Sequence, residues 1–512
     1  MTTANSNTRT LLRGARVLLQ QELLDDGQPR DVLIVGDRIA AIEPAGTIQT
    51  ADRVVALDRH LLCPGLINGH QHSHEHFQRG RTENLPLELW MNLVRTRVPV
   101  PLTPRQIYLR TMIGAIESIR SGCTTLVDDL ALGPAIDETR LDAVIQAYGD
   151  AGLRALIGFS MMDRPVVDSF PFVEDHVPAP LLAELRAMPR PSSADYLRLV
   201  RTRVEAGLHP MSSRVSVLLA PSAPQRCSEA FLMAIRALAD ELDLPVITHV
   251  QETRLQVVTG QLMYGSPMVE YLDRIGFLKP ATSLIHAVWL NPREIEALAR
   301  SGATAQHNPW SNLLLGSGVM PVRELLEAGV NVSLGSDGSC STVTANMLNV
   351  MGTAAGVAKL RGDDPERWLS AREVLGAATS GGARALGFGN ELGVIRVGAR
   401  ADFFACRTDR ISFTPLTDAV RQLVYAERGA SVDFSMIAGT VVMESGVLTT
   451  IDEAALLSEI EAEYRELESR YAAAEAATLP VLDAVRRIYL RSLACTIPAD
   501  TWPARLSAQA SR

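Results

Sequence analysis

The chain contains no Cys-x-x-Cys pair, no apolar run approaching the roughly 18 residues of a membrane span, and no basic stripe or charged tail. Its six cysteines (Cys63, Cys123, Cys227, Cys340, Cys406 and Cys495) lie far apart, mostly in apolar surroundings. They read as reduced core residues, not as disulfides or a thiolate metal site. Lysine is almost missing, with Lys279 and Lys359 the only two. The net charge of −9 is spread along the sequence, which argues against nucleic acid or an anionic membrane as partner and favours a small neutral or cationic substrate. The N-terminus, MTTANSNTR, is polar without an apolar core, so a cytoplasmic location is expected.

What is present suffices for a large folded body. With 512 residues, 47% of them hydrophobic, the chain can bury one large core and a smaller satellite domain. Short apolar, β-branched runs alternate with helical patterns through the middle of the sequence, as in βα units and a parallel sheet. The strands are predicted at 62–70, 124–128, 155–159, 214–220, 245–249, 283–287, 303–306 and 330–335. Amphipathic segments at 106–120, 137–151, 228–242, 268–275 and 321–328 lie between them, several followed by a helix-stopping glycine. Eight such units over about 320 residues predict an α/β fold of the (β/α)8 TIM-barrel type.

The flanks have a different texture. Strand-like runs at 16–19, 31–35 and 38–42 are broken by Asp-Gly and Gly-Asp turns, and similar short strands return at 401–406 and 436–448. A small β-sandwich built from both chain ends is therefore expected, with segments 10–62 and 391–450 flanking a barrel at 63–390. Beyond it, over 451–512, Leu456, Ile460, Tyr464, Leu467 and Tyr471 recur at helical spacing, and 481–493 suggests another helix. Such helices pack on their own barrel or join subunits, and a homo-oligomer is expected.

In a barrel of this type, chemistry sits at the C-terminal strand ends. His70 and His72 follow the first predicted strand, His249 ends the fifth, His286 ends the sixth, and Asp337 follows the eighth. One buried histidine is usually a hydrogen-bonded core residue. Four at one predicted rim with an aspartate point to a metal centre, and three histidines with one carboxylate suit a catalytic divalent ion, zinc above all, with Fe2+ or Mn2+ as alternatives. Glu252, three residues after His249, is either a solvated loop residue or the group that moves protons between water and leaving group.

The segments PGLINGHQH, His249 to Glu252, His286, GSDG around Asp337, HNPWSNLLLGSG (307–318) and GVIRVGARADF (393–403) together resemble the amidohydrolase superfamily. The branch they are most similar to holds S-adenosylhomocysteine, guanine and cytosine deaminases and triazine hydrolases. The resemblance covers about residues 10 to 450. It implies that His70, His72, His249 and Asp337 bind one metal ion and that Glu252 shuttles protons. It further implies that His286 orients the attacking water, that Asp337 also accepts its proton, and that Asn308 and Asn312 line the substrate pocket. Binuclear members bridge two metals through a carboxylated lysine on the fourth strand. Neither lysine here is near that strand, so a lysine bridge is excluded.

His74 and His76 extend the histidine run past the usual pattern; they contact substrate, hold an accessory metal or are simply exposed, and substrate contact is the expectation for His74. Trp90 and Trp310 either overhang the cavity, where an aromatic wall would stack on a flat ring, or pack as ordinary core or lid residues. His307 has no metal role in the family pattern. The activity expected is attack of an activated water on an sp2 carbon bearing nitrogen, deaminating an amino-substituted purine, pyrimidine or triazine. The alternatives are hydrolysis of a urea, carbamate or cyclic amide, or dechlorination of a triazine. A non-catalytic scaffold is disfavoured because the ligand set is complete.

Overall fold

The computed structural model describes residues 8–502 except 20, 21, 24–26, 132, 134, 135 and 343. Two four-stranded parallel sheets form its centre. The first holds Leu66–Gln71, Cys123–Leu130, Arg154–Phe159 and Val215–Leu218; the second holds Val246–Val250, Thr282–His286, Thr304–His307 and Asn331–Leu334. A parallel bridge between Leu219 and Val246 joins them. At the other margin the first and eighth strands meet. Asp337 donates its N–H to the His70 carbonyl at 2.9 Å, while Asn68 donates to Ser336 Oγ at 2.8 Å and accepts the Ser336 N–H at 2.9 Å.

The second to eighth strands lie within two residues of the predicted bounds at each end. Parallel strands covered on both faces are apolar runs, and Cys123–Leu130 and Arg154–Phe159 are buried throughout. The helices between them start and stop where the sequence signals: Thr103 and Asn291 form capping boxes with Gln106 and Glu294, and Gly152, Gly265 and Gly302 end helices in the left-handed region.

The predicted strand 62–70 is in fact two. His60–Pro64 belongs to a mixed sheet and Leu66–Gln71 to the parallel one, with Gly65 as the hinge. A Cβ on Gly65 would stand 2.0 Å from Thr124 Oγ1, so only glycine lets the chain cross there. The mixed sheet therefore takes chain up to Pro64, slightly beyond the expected boundary at 62.

Both chain ends contribute to that sheet, which has ten strands: eight in one hydrogen-bonded path, with Glu22–Leu23 and Arg53–Ala56 paired to Arg9–Leu19 off it. Arg9–Leu19 is its hub, antiparallel to Arg30–Val35 and parallel to Arg53–Ala56 and His60–Pro64. Phe403–Arg407 pairs with His60–Pro64 and leads to Val432–Ile437, Thr440–Glu444 and Val447–Leu448. Val17, Ile34, Leu62, Phe403 and Phe434, from both ends of the sequence, share one apolar cluster. The strand Arg53–Ala56 has no counterpart among the sequence expectations, because four residues carry too little periodicity.

The two predicted C-terminal helices are one, Glu453–Ala494, with Pro480 inside it. It packs on its own chain: Val481, Ala484, Val485 and Ile488 lie against Leu89, Trp90, Leu255 and Leu315. Polar ties hold it down. Arg81 reaches Glu475 at 2.8 and 3.0 Å and Tyr464 at 2.9 Å, and Arg254 donates to the Cys495 carbonyl at 2.6 Å. Residues 503–512 of the expected extension lie outside the described residues. Five cysteines are buried, Cys495 is partly exposed, and all are free. Among the described residues no helix is long and apolar enough to cross a membrane.

Parallel and mixed sheets are locked together by Arg154 and Asp402, both buried, with contacts of 2.9 and 3.1 Å. Asp402 also accepts the Ala438 N–H at 2.8 Å. Arg154→Met leaves that carboxylate buried without its cation, so denaturant unfolding should show a loss of about 3–5 kcal/mol.

Candidate metal centre

The four histidines expected at the rim converge. His70 ends the first parallel strand and His72 follows it; His249 and His286 stand at the ends of the fifth and sixth. Ring centroids are 4.6 Å apart for His70 and His72, 4.9 Å for His70 and His249, and 5.5 Å for His249 and His286. Asp337 Oδ1 lies 3.3 Å from Nε2 of both His70 and His72, and its Oδ2 lies 3.7 Å from His286 Nε2.

Backbone carbonyls set the ring orientations. His72 Nδ1 bonds the Asp129 carbonyl at 2.7 Å and His249 Nδ1 bonds the Ser222 carbonyl at 2.8 Å. Since a carbonyl only accepts, each Nδ1 carries the proton and each Nε2 offers a lone pair. His70 Nδ1 has no hydrogen-bond partner among the described residues. Burial keeps these rings neutral: it takes His72, with help from the charge of His70, down to about 3, and His249 well below the usual histidine range. Neutral, buried imidazoles with aligned lone pairs and one carboxylate are a donor set that fits a divalent cation.

His70, His286 and Asp337 form one group of candidate ligand atoms, and His70, His72, His249 and Asp129 form another. Asp129 is the residue that sequence reasoning missed. It lies in the strand Cys123–Leu130, where the pair Asp128–Asp129 near a buried strand's C-terminal end was the available signal. Its Oδ2 is 3.8 Å from His249 Nδ1, the nitrogen already committed to Ser222. Asp337 instead faces the uncommitted nitrogens.

Glu252 is buried beside this cluster, its Oε2 3.5 Å from His286 Nε2. Ser317 donates to its Oε1 at 3.3 Å, and its N–H is held by Gln256 Oε1 at 2.8 Å. Burial raises its carboxyl to about 7, against the opposing charge of His286. A solvated loop residue would show none of this. Backbone strain gathers at the same rim, where Gln251, His286, Ala287 and Asp337 have φ of 45°, 73°, 44° and 69°, a region side chains seldom occupy unless their surroundings impose it.

The residues expected to line a pocket have the following surroundings. Asn312 accepts from His286 Nδ1 at 2.9 Å, so it orients that ring. Asn308 is buried with its amide 3.3 Å from the carbonyls of His307 and Gly335. Trp90 is buried under the C-terminal helix and donates to the Cys340 carbonyl at 3.2 Å. Trp310 is half-buried on the short helix Pro309–Leu314. His74 and His76 are buried, not exposed; His74 Nδ1 accepts the Ala131 N–H at 3.2 Å, and His76 bonds Ser339. Between them Glu75 is wholly buried, its carboxyl pushed by burial to about 8. His307 is buried apart from both ligand groups.

Gly335 closes the junction under Asp337. A Cβ there would stand 2.5 Å from Gln306 Nε2, 2.7 Å from Asn308 Oδ1 and 2.9 Å from the His70 nitrogen. Gly335→Ala should wedge the first and eighth strands apart, lowering stability by about 1–3 kcal/mol together with metal retention; melting and elemental analysis of one preparation check both.

The profile of the Amidohydrolase family matches residues 61–442. The chain is 35% identical to the 5'-deoxyadenosine deaminase of Methanothermobacter thermautotrophicus, over 87% of this chain and 97% of that protein. It is 35% identical to the 5-methylthioadenosine/S-adenosylhomocysteine deaminase of Thermococcus kodakarensis, over 85% and 93%. In structure it is similar to an adenosine deaminase from Xanthomonas campestris with bound zinc, at TM-score 0.78 and 28% identity over 91% of this chain and 99% of the other. It is also similar to the atrazine chlorohydrolase of Arthrobacter aurescens complexed with zinc, at TM-score 0.80 and 26% identity over 89% and 100%. With three quarters of its length inside the profile match, and with these relatives, the chain belongs to the Amidohydrolase family.

Proposed function

We propose that this protein is a zinc-dependent aminohydrolase that removes ammonia from an amino-substituted nitrogen heterocycle. The observation that carries the reading is the buried cluster of inward Nε2 atoms with Glu252 and His286 beside it. His70, His72, His249 and Asp337 would hold the ion, and the eight parallel strands would close as a (β/α)8 barrel with this cluster at its C-terminal mouth. Zinc, when bound, acidifies a coordinated water to a pKa of about 7.

The side chains do the remaining work. Asp337 and Glu252 take the proton of the attacking water, Glu252 being tuned by burial to exchange protons near neutrality. His286, held through Nδ1 by Asn312, turns Nε2 toward Glu252 and Asp337 and orients the attack. Protonated Glu252 then delivers its proton to the departing nitrogen. A leaving amine requires that proton and chloride does not, so Glu252 favours deamination over the dechlorination named for the Arthrobacter neighbour. The named activities of the curated relatives are deaminations of adenosine-type compounds, which makes amino-purines the first class to try.

Elemental analysis of purified protein should find about one zinc per chain. Glu252→Gln should keep that zinc while ammonia release from the responding amino-heterocycle falls about 10²- to 10⁴-fold. Near-normal turnover in this variant would remove Glu252 from the proton path.

A further inference from the structure

The proposed reaction uses two carboxylates, Glu252 and Asp337, on loops after different strands, and a third carboxylate reaches the first of these loops from outside. We propose that Glu88 is a positioning residue that holds Glu252 in place through Thr253. The proton chemistry rests on the deaminase reading above; the tether rests on contacts of its own.

Glu88 lies in the first turn of the helix Leu87–Val94, where the helix dipole favours a negative side chain. It is buried, 1% exposed, and its Oε1 accepts the Thr253 hydroxyl at 2.5 Å, a length typical of a hydroxyl bonded to a carboxylate. Thr253 directly follows Glu252 and caps the N-terminal end of the helix Arg254–Tyr264. A threonine in that place commonly turns its oxygen back to the first N–H groups of its own helix. Thr253 makes no such bond, and its hydroxyl is committed to Glu88 instead. The loop is thus pinned twice. Gln256, from the helix that follows, holds the Glu252 N–H at 2.8 Å, and Glu88 holds the next residue from a distant part of the sequence.

The helix that carries Glu88 is itself fixed. Leu89, Met91 and Val94 share an apolar cluster with Leu255 and with Val485 and Ile488 of the C-terminal helix. Trp90, two residues after Glu88, donates to the carbonyl of Cys340 at 3.2 Å, three residues after Asp337. One short helix is therefore bonded to both loops that carry the carboxylates of the proposed reaction, through Glu88 to one and through Trp90 to the other, and it sets their spacing. Glu252 also senses Glu88 electrostatically: burial raises its carboxyl, the charge of His286 opposes, and the charges of Asp337 and Glu88 add to the rise, as like charges at close range do. A shift of about 1 Å in a reacting group can cost about 100-fold in rate, so loss of such a tether is felt in turnover more than in substrate binding.

The test uses the full-length, zinc-loaded protein and two readouts: hydrogen–deuterium exchange over residues 250–256, and ammonia release from 5'-deoxyadenosine, adenosine and guanine. Glu88→Leu and Thr253→Val should each speed exchange of that segment about 10-fold, as for loss of a bond to a charged group. Both should keep about one zinc per chain and lower kcat about 10- to 100-fold, with KM moving less than about 3-fold. Glu88→Gln keeps an oxygen for Thr253 and Thr253→Ser keeps the hydroxyl, so these variants should recover most of kcat. Thr253→Val carries the test should Glu88→Leu fail to fold. Exchange at the wild-type level in the disrupting variants overturns the tether, as does a kcat within about 2-fold of wild type or the absence of recovery in both conservative variants. If the wild-type protein releases no ammonia from any probe, the deaminase reading falls and exchange alone decides whether Glu88 holds the Glu252 loop.

Discussion

The hydrogen bond from the Asp337 N–H to the His70 carbonyl is the joint on which the site depends. It sets the eighth strand beside the first and brings a carboxylate between the two histidines of the HxH pair. Asn68, bonded twice to Ser336, holds the same joint from one residue away. Gly335 lets the two backbones approach, and the positive φ of Asp337 is the conformational cost of aiming its side chain inward. Residues more than 260 positions apart in sequence are thereby held to within hydrogen-bond distance, so the centre is preorganised by backbone contacts before any ligand arrives.

Burial has opposite effects on the two classes of titratable group around this joint. It drives His72 and His249 toward their neutral forms, which is the form that donates a lone pair. It drives Glu252 and Asp129 up to about 7, where a carboxyl can both take and give a proton. One low-dielectric setting therefore leaves the imidazoles neutral and the carboxyls protonated more easily than in water. Asn312 and Ser222 refine the result by fixing which ring nitrogen of His286 and His249 carries the proton.

Much of this was legible in the sequence. Buried parallel strands leave apolar runs bounded by turns, so seven of the eight fell in place, and the histidines and aspartate at their ends came with them. What was not legible depends on three-dimensional neighbours. Gly65 looks like any glycine until Thr124 is set against it, which is why one strand was expected where two exist. Pro480 reads as a break, yet packing on Leu255 and Leu315 carries the helix through it. The bond from Asn312 to His286 was not legible because motif position says nothing of which group an amide faces. Asp129 belongs to no motif, and only the assembled fold gives it a place.

The mixed sheet has a consequence for biosynthesis. Of its N-terminal strands, His60–Pro64 pairs with Arg9–Leu19 on one side and finds its other partner only in Phe403–Arg407, nearly 340 residues later in the chain. At roughly 5–20 residues per second that edge waits tens of seconds unpaired, with part of its apolar cluster not yet made. Arg16, Arg30 and Arg38 along those strands supply charges that discourage premature pairing with other chains. A sheet whose N-terminal strands are completed by Phe403–Leu448 keeps one edge open to solvent until those residues are made, and that interval is when it is most exposed to aggregation.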